Sequence, residues 1–81
     1  MTAVTLIGKP DCHLCDDARA TLMDVAGEFG LPVTELSIMD DADLMAEYAE
    51  EVPVVLIDGK VHSIWRVDPA RLRSALREAA S

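Results

Sequence analysis

Cys12 and Cys15 are the only two cysteines in this chain of 81 residues. Thiols at that spacing exchange disulfides, hold a metal ion, or sit inert in a core. A bridge closing so short a loop removes little entropy from the unfolded chain, so it is a poor staple. A disulfide-stapled secreted domain would carry more cysteines, more widely spaced. A structural zinc ion wants four ligands, and the other candidates are His13 and His62. His13 adjoins Cys12 and no second C-x-x-C exists, so no metal ligand is assigned within one chain. Inert burial suits Cys15 alone better than it suits Cys12. The pair is fitted to chemistry rather than to scaffolding.

That chemistry depends on what flanks Cys12. Val4–Ile7 is a short apolar run with β-branched content and predicts a buried strand, broken by Gly8-Lys9-Pro10-Asp11. Cys15, Ala18, Leu22, Val25, Ala26 and Phe29 then recur at spacings of three and four. This predicts a helix over 13–29, closed by Gly30 and Pro32. Cys12 therefore opens a helix, where backbone N–H groups lack internal partners and their partial positive charge stabilises a thiolate. Cys15 lies one turn on, begins the apolar stripe and is expected to be the more buried sulfur. Exchange chemistry needs that asymmetry. An exposed thiolate attacks a substrate disulfide, and the sheltered neighbour attacks the mixed disulfide to release reduced product. Lys9 would favour the thiolate. Asp11, Asp16 and Asp17 would oppose it, although acidic residues in a first turn also complement the helix dipole. His13 reads as a solvated first-turn residue.

The remaining elements follow the same punctuation. Thr34, Leu36 and Ile38 alternate as a second strand. Asp40 and Asp41 are N-caps for a short helix carrying Leu44, Met45 and Tyr48 on one face, ended by Glu50-Glu51-Val52-Pro53. Val54–Ile57 predicts another buried strand, Asp58-Gly59 a two-residue turn and Lys60–Trp65 the antiparallel return, with His62 exposed on an edge. Asp68-Pro69 opens a last helix over 69–79 with Leu72, Ala75, Leu76 and Ala79 inward. The order is β-α-β-α-β-β-α. Two strands joined by a helix run parallel with a right-handed crossover, and the last two form a hairpin. The fold class is α/β: a four-stranded mixed sheet with helices on both faces, in one domain over 1–81.

Composition narrows the partners. Fifteen Asp and Glu against seven Lys and Arg give a net charge of −8. Nucleic acid and anionic membrane surfaces select for basic patches and are excluded. No segment approaches the roughly 18 apolar residues of a bilayer span. Met1 and Thr2 lead into the first strand without a basic start or cleavable apolar stretch, so a cytoplasmic monomer is expected.

Lys9-Pro10-Asp11-Cys12-His13-Leu14-Cys15, with Val52-Pro53 before a strand and Asp58-Gly59 in a hairpin, resembles the glutaredoxins, above all the short glutaredoxin-like proteins. The resemblance spans the whole chain. It implies a thioredoxin-like fold and a thiol–disulfide oxidoreductase with Cys12 as nucleophile, Cys15 as resolving thiol and a protein disulfide as substrate. The reductant would be either glutathione or a flavoprotein disulfide reductase, with no tightly bound cofactor. It further implies that Lys9 helps hold a glutathione carboxylate. Val52 would offer its backbone to the substrate beside Pro53, which is cis in such proteins and otherwise simply opens a strand in the trans form. Asp68 matches an acidic residue of the family's ligand site and also suits a helix cap. The sequence departs from the pattern between the cysteines, where His13 and Leu14 replace proline and tyrosine. Glu51 stands where threonine is common, and Ile64-Trp65-Arg66-Val67 lacks the usual glycine pair. Trp65 would fill the space of the tripeptide, and Glu47, Glu50 and Glu51 would repel its carboxylates, with Lys9 and Arg66 as the obvious counter-charges. Trp65 and Arg66 fit a rim that grips a protein substrate; Trp65 equally fits a lid on the small core. Two alternatives stand beside exchange: a dimer holding an iron–sulfur cluster through Cys12 of each chain, and a thioredoxin-fold interaction module without turnover.

Overall fold

Val4, Leu6 and Ile7 are each no more than 2 % exposed. A strand with apolar side chains at successive positions must be covered on both faces. In the computed structural model, which describes residues 2–80, this strand is β1 (Val4–Gly8), an inner strand of a four-stranded sheet of order β2-β1-β3-β4. It pairs parallel with β2 (Val33–Ser37) and antiparallel with β3 (Val54–Ile57). Strand β4 (Lys60–Ile64) returns antiparallel beside β3 across the Asp58-Gly59 turn, where both residues have positive φ. The helices are α1 (His13–Glu28), α2 (Ala42–Tyr48) and α3 (Pro69–Ala80).

The alternation of β1 and β3 divides the core in two. On one face Val4, Leu6 and Val55 pack with Ala18, Leu22 and Val25 of α1 and Leu72 and Leu76 of α3. On the other, Ile7, Val54 and Leu56 meet Leu44 and Tyr48 of α2, and Cys12, Cys15 and Val52 belong to this second cluster. The cysteine pair is thus part of the packing that fixes α2 to the sheet. Helix α1 stops where its sequence says it should. Gly30 takes a left-handed φ of 67°, its N–H donates to the Gly27 carbonyl, and the Leu31 N–H donates to the Ala26 carbonyl. This double bond pattern satisfies carbonyls the helix would otherwise leave open.

Several local expectations need correction. Gly8 does not break β1; it pairs with Ser37, and its carbonyl accepts the Ile38 N–H. The alternation of Thr34, Leu36 and Ile38 misplaces β2, which ends at Ser37. Leu36 is 43 % exposed on this edge strand, while Ile38, beyond the strand, is buried. Met45 is exposed, so the inner face of the seven-residue α2 is Leu44 and Tyr48 alone. His62 is half-buried; burial first, then the Arg71 charge, pushes its imidazole below the usual range. Strand β4 ends at Ile64, because Trp65 turns to a φ of 67° that no strand accommodates.

The register of β3 and β4 shifts between Val55 and Leu56, opposite Ser63. The Ser63 hydroxyl is buried there with no hydrogen-bond partner among the described residues. A buried, unsatisfied hydroxyl is a standing cost that an apolar replacement removes. Ser63→Ala is expected to stabilise the fold by about 1 kcal/mol, read as a higher urea midpoint with an unchanged slope. An unchanged or lower midpoint would show that the hydroxyl is satisfied in solution.

Candidate active site

Backbone geometry at the end of β1 sets the site. Asp11 adopts a left-handed φ of 56°, and Cys12 follows in extended conformation as the N-cap of α1. Aspartate tolerates that region better than most side chains, so the sharp entry into α1 is compatible with the sequence. At the N-cap, Cys12 Sγ takes the place of the usual oxygen and accepts the Cys15 N–H at 3.2 Å. The bond and the helix dipole both place positive charge against the Cys12 sulfur.

The two sulfurs are unequal. Both are free thiols, Cys12 half-buried and Cys15 1 % exposed. The Cys15 thiol is pushed up to about 11, chiefly by burial, then by its hydrogen bond with Cys12, with the Cys12 charge adding to them. A backbone interaction with Lys9 and the Lys9 charge act in the opposite direction. Together these effects keep the proton on Cys15.

The loop from α2 to β3 closes the site. The Val52–Pro53 bond is cis, and both residues are buried, with Val52 packed in the same cluster as Cys12 and Cys15. The Val52 N–H donates to the Tyr48 carbonyl at 3.2 Å, so an incoming chain would have to compete for it. Trp65 fastens this loop from the other side. Its backbone N–H donates to the Pro53 carbonyl at 2.8 Å, and its indole Nε1–H donates to the Glu50 carbonyl at 3.1 Å. The residue is 53 % exposed. Trp65 is therefore anchored rather than buried, and it does not act as a lid on the core. Its left-handed backbone is the kind that glycine adopts freely, which is the conformation a glycine after this strand would serve.

Two shallow pockets flank the N-terminal half of α1. One, about 180 Å³, runs from Leu14 and Asp17 to Trp65, Arg66 and Val67. The other, about 360 Å³, reaches Cys15 past Lys9 and Pro10 and is bounded by Leu36 and Met39. Arg19 also lines it, but its guanidinium is committed to Asp16 and Glu35. Of the residues singled out by sequence, Val52 is brought to the cysteine pair and Pro53 sits behind it. Lys9 lies along one flank of α1, Trp65 and Arg66 along the other. Asp68 lines neither pocket: its Oδ1 accepts the N–H groups of Ala70 at 2.9 Å and Arg71 at 3.4 Å, the work of a helix cap. Sequence reasoning missed Gly8, over which Cys15 lies so closely that an added Cβ would stand 3.3 Å from Sγ. It also missed Leu14, 40 % exposed between the cysteines. A glycine inside an apolar strand was the available signal for the first.

The sheet order, the helix layers and a cysteine pair at the β1–α1 junction define a thioredoxin-like fold. Solved thioredoxins share it at low identity. Chloroplastic thioredoxin z superposes with a TM-score of 0.80 at 16 % identity, over all of this chain and 80 % of that one. Thioredoxin of Trypanosoma brucei gives 0.70 at 18 %, over 99 % and 75 %. The chain belongs to the glutaredoxin-like domain family (DUF836), whose model matches residues 3–77. A structural-genomics target protein of X. campestris is similar at 34 % identity and a TM-score of 0.77, covering 94 % of this chain and 97 % of that one. An uncharacterised protein of Mycobacterium tuberculosis is 32 % identical over 76 residues, 88 % of this chain and 78 % of its own. Among the described residues, no helix is long and apolar enough to cross a membrane.

Proposed function

We propose that this protein is a dithiol thiol–disulfide oxidoreductase acting on protein disulfides. The observation that carries the reading is the inequality of its two thiols: Cys12 half-buried at a helix N-cap, Cys15 buried and pushed up to about 11. Cys12 thiolate attacks one sulfur of the substrate disulfide, forming a mixed disulfide and expelling the other sulfur as a thiolate that takes up a proton. Cys15, losing its proton as it attacks, bonds to the Cys12 sulfur and expels the second substrate thiol. Two substrate thiols are gained and one Cys12–Cys15 disulfide is formed, so the electrons balance. A reductant must then restore the dithiol. A flavoprotein disulfide reductase suits the site better than glutathione. Trp65 is bonded to the loop that carries Glu50 and Glu51, and two carboxylates on that loop are unfavourable to an anionic tripeptide.

Trapping tests the reading. Cys15→Ser is expected to retain the first step and accumulate one-to-one mixed disulfides with proteins of a cell extract, released by dithiothreitol. Cys12→Ser is expected to trap none. Absence of trapped protein with Cys15→Ser, together with absence of turnover by the native protein with either reductant, would sink the proposal.

A further inference from the structure

Cys15 must lose a proton to complete the exchange, yet its surroundings are mostly apolar. The residue is 1 % exposed and packs with Ile7, Ile38, Val52 and Val54. Its Sγ lies over Gly8, where an added Cβ would stand 3.3 Å away. Gly8 and Cys15 both line the pocket of about 360 Å³, together with the exposed residues Lys9, Pro10 and Met39. Apolar side chains thus cover Cys15 toward the core, and a pocket rimmed by exposed residues meets it beside Gly8.

Resolution starts from the mixed disulfide. Cys12 is then bonded to the substrate sulfur and carries no thiolate charge. Of the influences on the Cys15 thiol, burial still opposes ionisation, while the Lys9 backbone and the Lys9 charge still favour it. The other charged or titratable groups of the pocket and the surrounding cluster are Arg19, Glu35, Asp40 and Tyr48. Arg19 is committed to Asp16 and Glu35, whereas Lys9 is in no ion pair among the described residues. Asp40, also outside those pairs, is the carboxylate that would oppose it.

From this placement we infer that Lys9 is a positioning residue for the resolving step: its ammonium stabilises the thiolate that Cys15 forms as the proton passes to solvent in the pocket. The inference rests on the exchange reading above. The Cys15 S–H bond breaks and its proton goes to water. The Cys15 sulfur bonds to Cys12. The bond from Cys12 to the substrate breaks with its electron pair on the substrate sulfur, which takes up a proton from solvent. Lys9 acts on this step through Cys15, not through the substrate, so the task is separate from holding a ligand carboxylate.

A peptide whose one cysteine is joined to thionitrobenzoate through a disulfide separates the two steps. Cys12 displaces thionitrobenzoate, whose colour reports the first. Acid quenching and mass spectrometry then follow release of the peptide thiol by Cys15. Lys9→Gln is expected to slow the second step relative to the first by about threefold at pH 7, equivalent to moving its pH profile up by about half a pH unit. Lys9→Arg keeps the charge and is expected to keep the native ratio. Met39 is 63 % exposed and lines the same pocket, so charge can be placed there without disturbing the core. Met39→Glu is expected to slow the second step, and Met39→Lys in the Lys9→Gln background to recover part of the loss. Salt should shrink each difference. A native ratio in Lys9→Gln, an equal loss in Lys9→Arg, or equal effects of Glu and Lys at position 39 would overturn the inference and leave exchange standing. No release of thionitrobenzoate by the native protein would overturn exchange itself.

Discussion

Iodoacetamide at pH 8 is expected to alkylate Cys12 of the reduced protein and leave Cys15 unmodified, by at least a hundredfold in rate. Alkylation runs through the thiolate. With its thiol pushed up to about 11, Cys15 presents a thiolate in roughly one molecule per thousand at that pH. Burial at 1 % exposure then hinders the reagent further. Peptide mapping after timed quenching gives both rates. The causes can be separated by removing Cys12. In Cys12→Ala the hydrogen bond and the neighbouring charge vanish but the desolvation remains, and desolvation is the largest cause. The Cys15 thiol should therefore titrate between its ordinary 9.0 and about 11, read from thiolate absorbance. Comparable labelling of both cysteines in the native protein would remove the asymmetry on which the exchange reading stands.

The same inequality has a thermodynamic face. Cys15 keeps its proton in the folded chain up to about 11, whereas an unfolded cysteine releases it near 9.0. Above pH 9 the unfolded chain binds fewer protons than the folded one, so stability falls as pH rises. The Cys15 contribution is intact below pH 9 and is lost as pH climbs toward 11. The loss amounts to about 2–3 kcal/mol at the upper end. Urea unfolding at intervals through that window should show the decline in the reduced native protein and a flatter profile in Cys15→Ser. Parallel profiles would mean that the Cys15 thiol ionises as freely in the fold as outside it.

What sequence revealed of this site follows from the range of the forces involved. The strand-to-helix junction was legible because its punctuation is local. The apolar spacing from Cys15 to Phe29, the stop at Gly30 and the turns at Asp58-Gly59 and Asp68-Pro69 each act within a few residues, and together they fix the element order. The burial of Cys15 was legible from its place on the apolar stripe. Contacts across the fold were not. The backbone and charge of Lys9 bear on Cys15 from across the strand-to-helix junction. Trp65 is a bulky residue in a glycine-like conformation, and no propensity anticipates a φ of 67° there. Leu36 alternates like a core residue, yet an edge strand leaves it 43 % exposed. Asp68 matched a ligand-site pattern and a cap pattern equally well, and only its bonds to Ala70 and Arg71 show the cap in place.

A side chain at Gly8 should disable the second half of the exchange more than the first. Gly8 carries no left-handed backbone, so its need is for space rather than for conformational freedom. A Cβ at this end of β1 would lie 3.3 Å from Cys15 Sγ and 3.5 Å from Cys15 Cβ. Cys15 has little room to retreat, being packed in one cluster with Ile7, Val52 and Val54, three residues that are themselves buried. In Gly8→Ala the crowding of a few tenths of an ångström opposes the entropy gained by replacing a strand glycine, and the net change should stay within about 1 kcal/mol. In Gly8→Val two further methyl groups enter the same space, and a destabilisation of about 2–3 kcal/mol is expected. The displaced sulfur must also approach Cys12 from a poorer angle. Gly8→Val should therefore form mixed disulfides with a thionitrobenzoate peptide nearly as fast as the native protein but resolve them on the order of tenfold more slowly, since small misplacements of a reacting atom cost rate steeply. Mass spectrometry of acid-quenched samples separates the two steps, and chemical unfolding gives the stability. Native-like resolution and stability in Gly8→Val would show that Cys15 does not lie against this strand end, and the packing that keeps the two thiols unequal would have to be sought elsewhere.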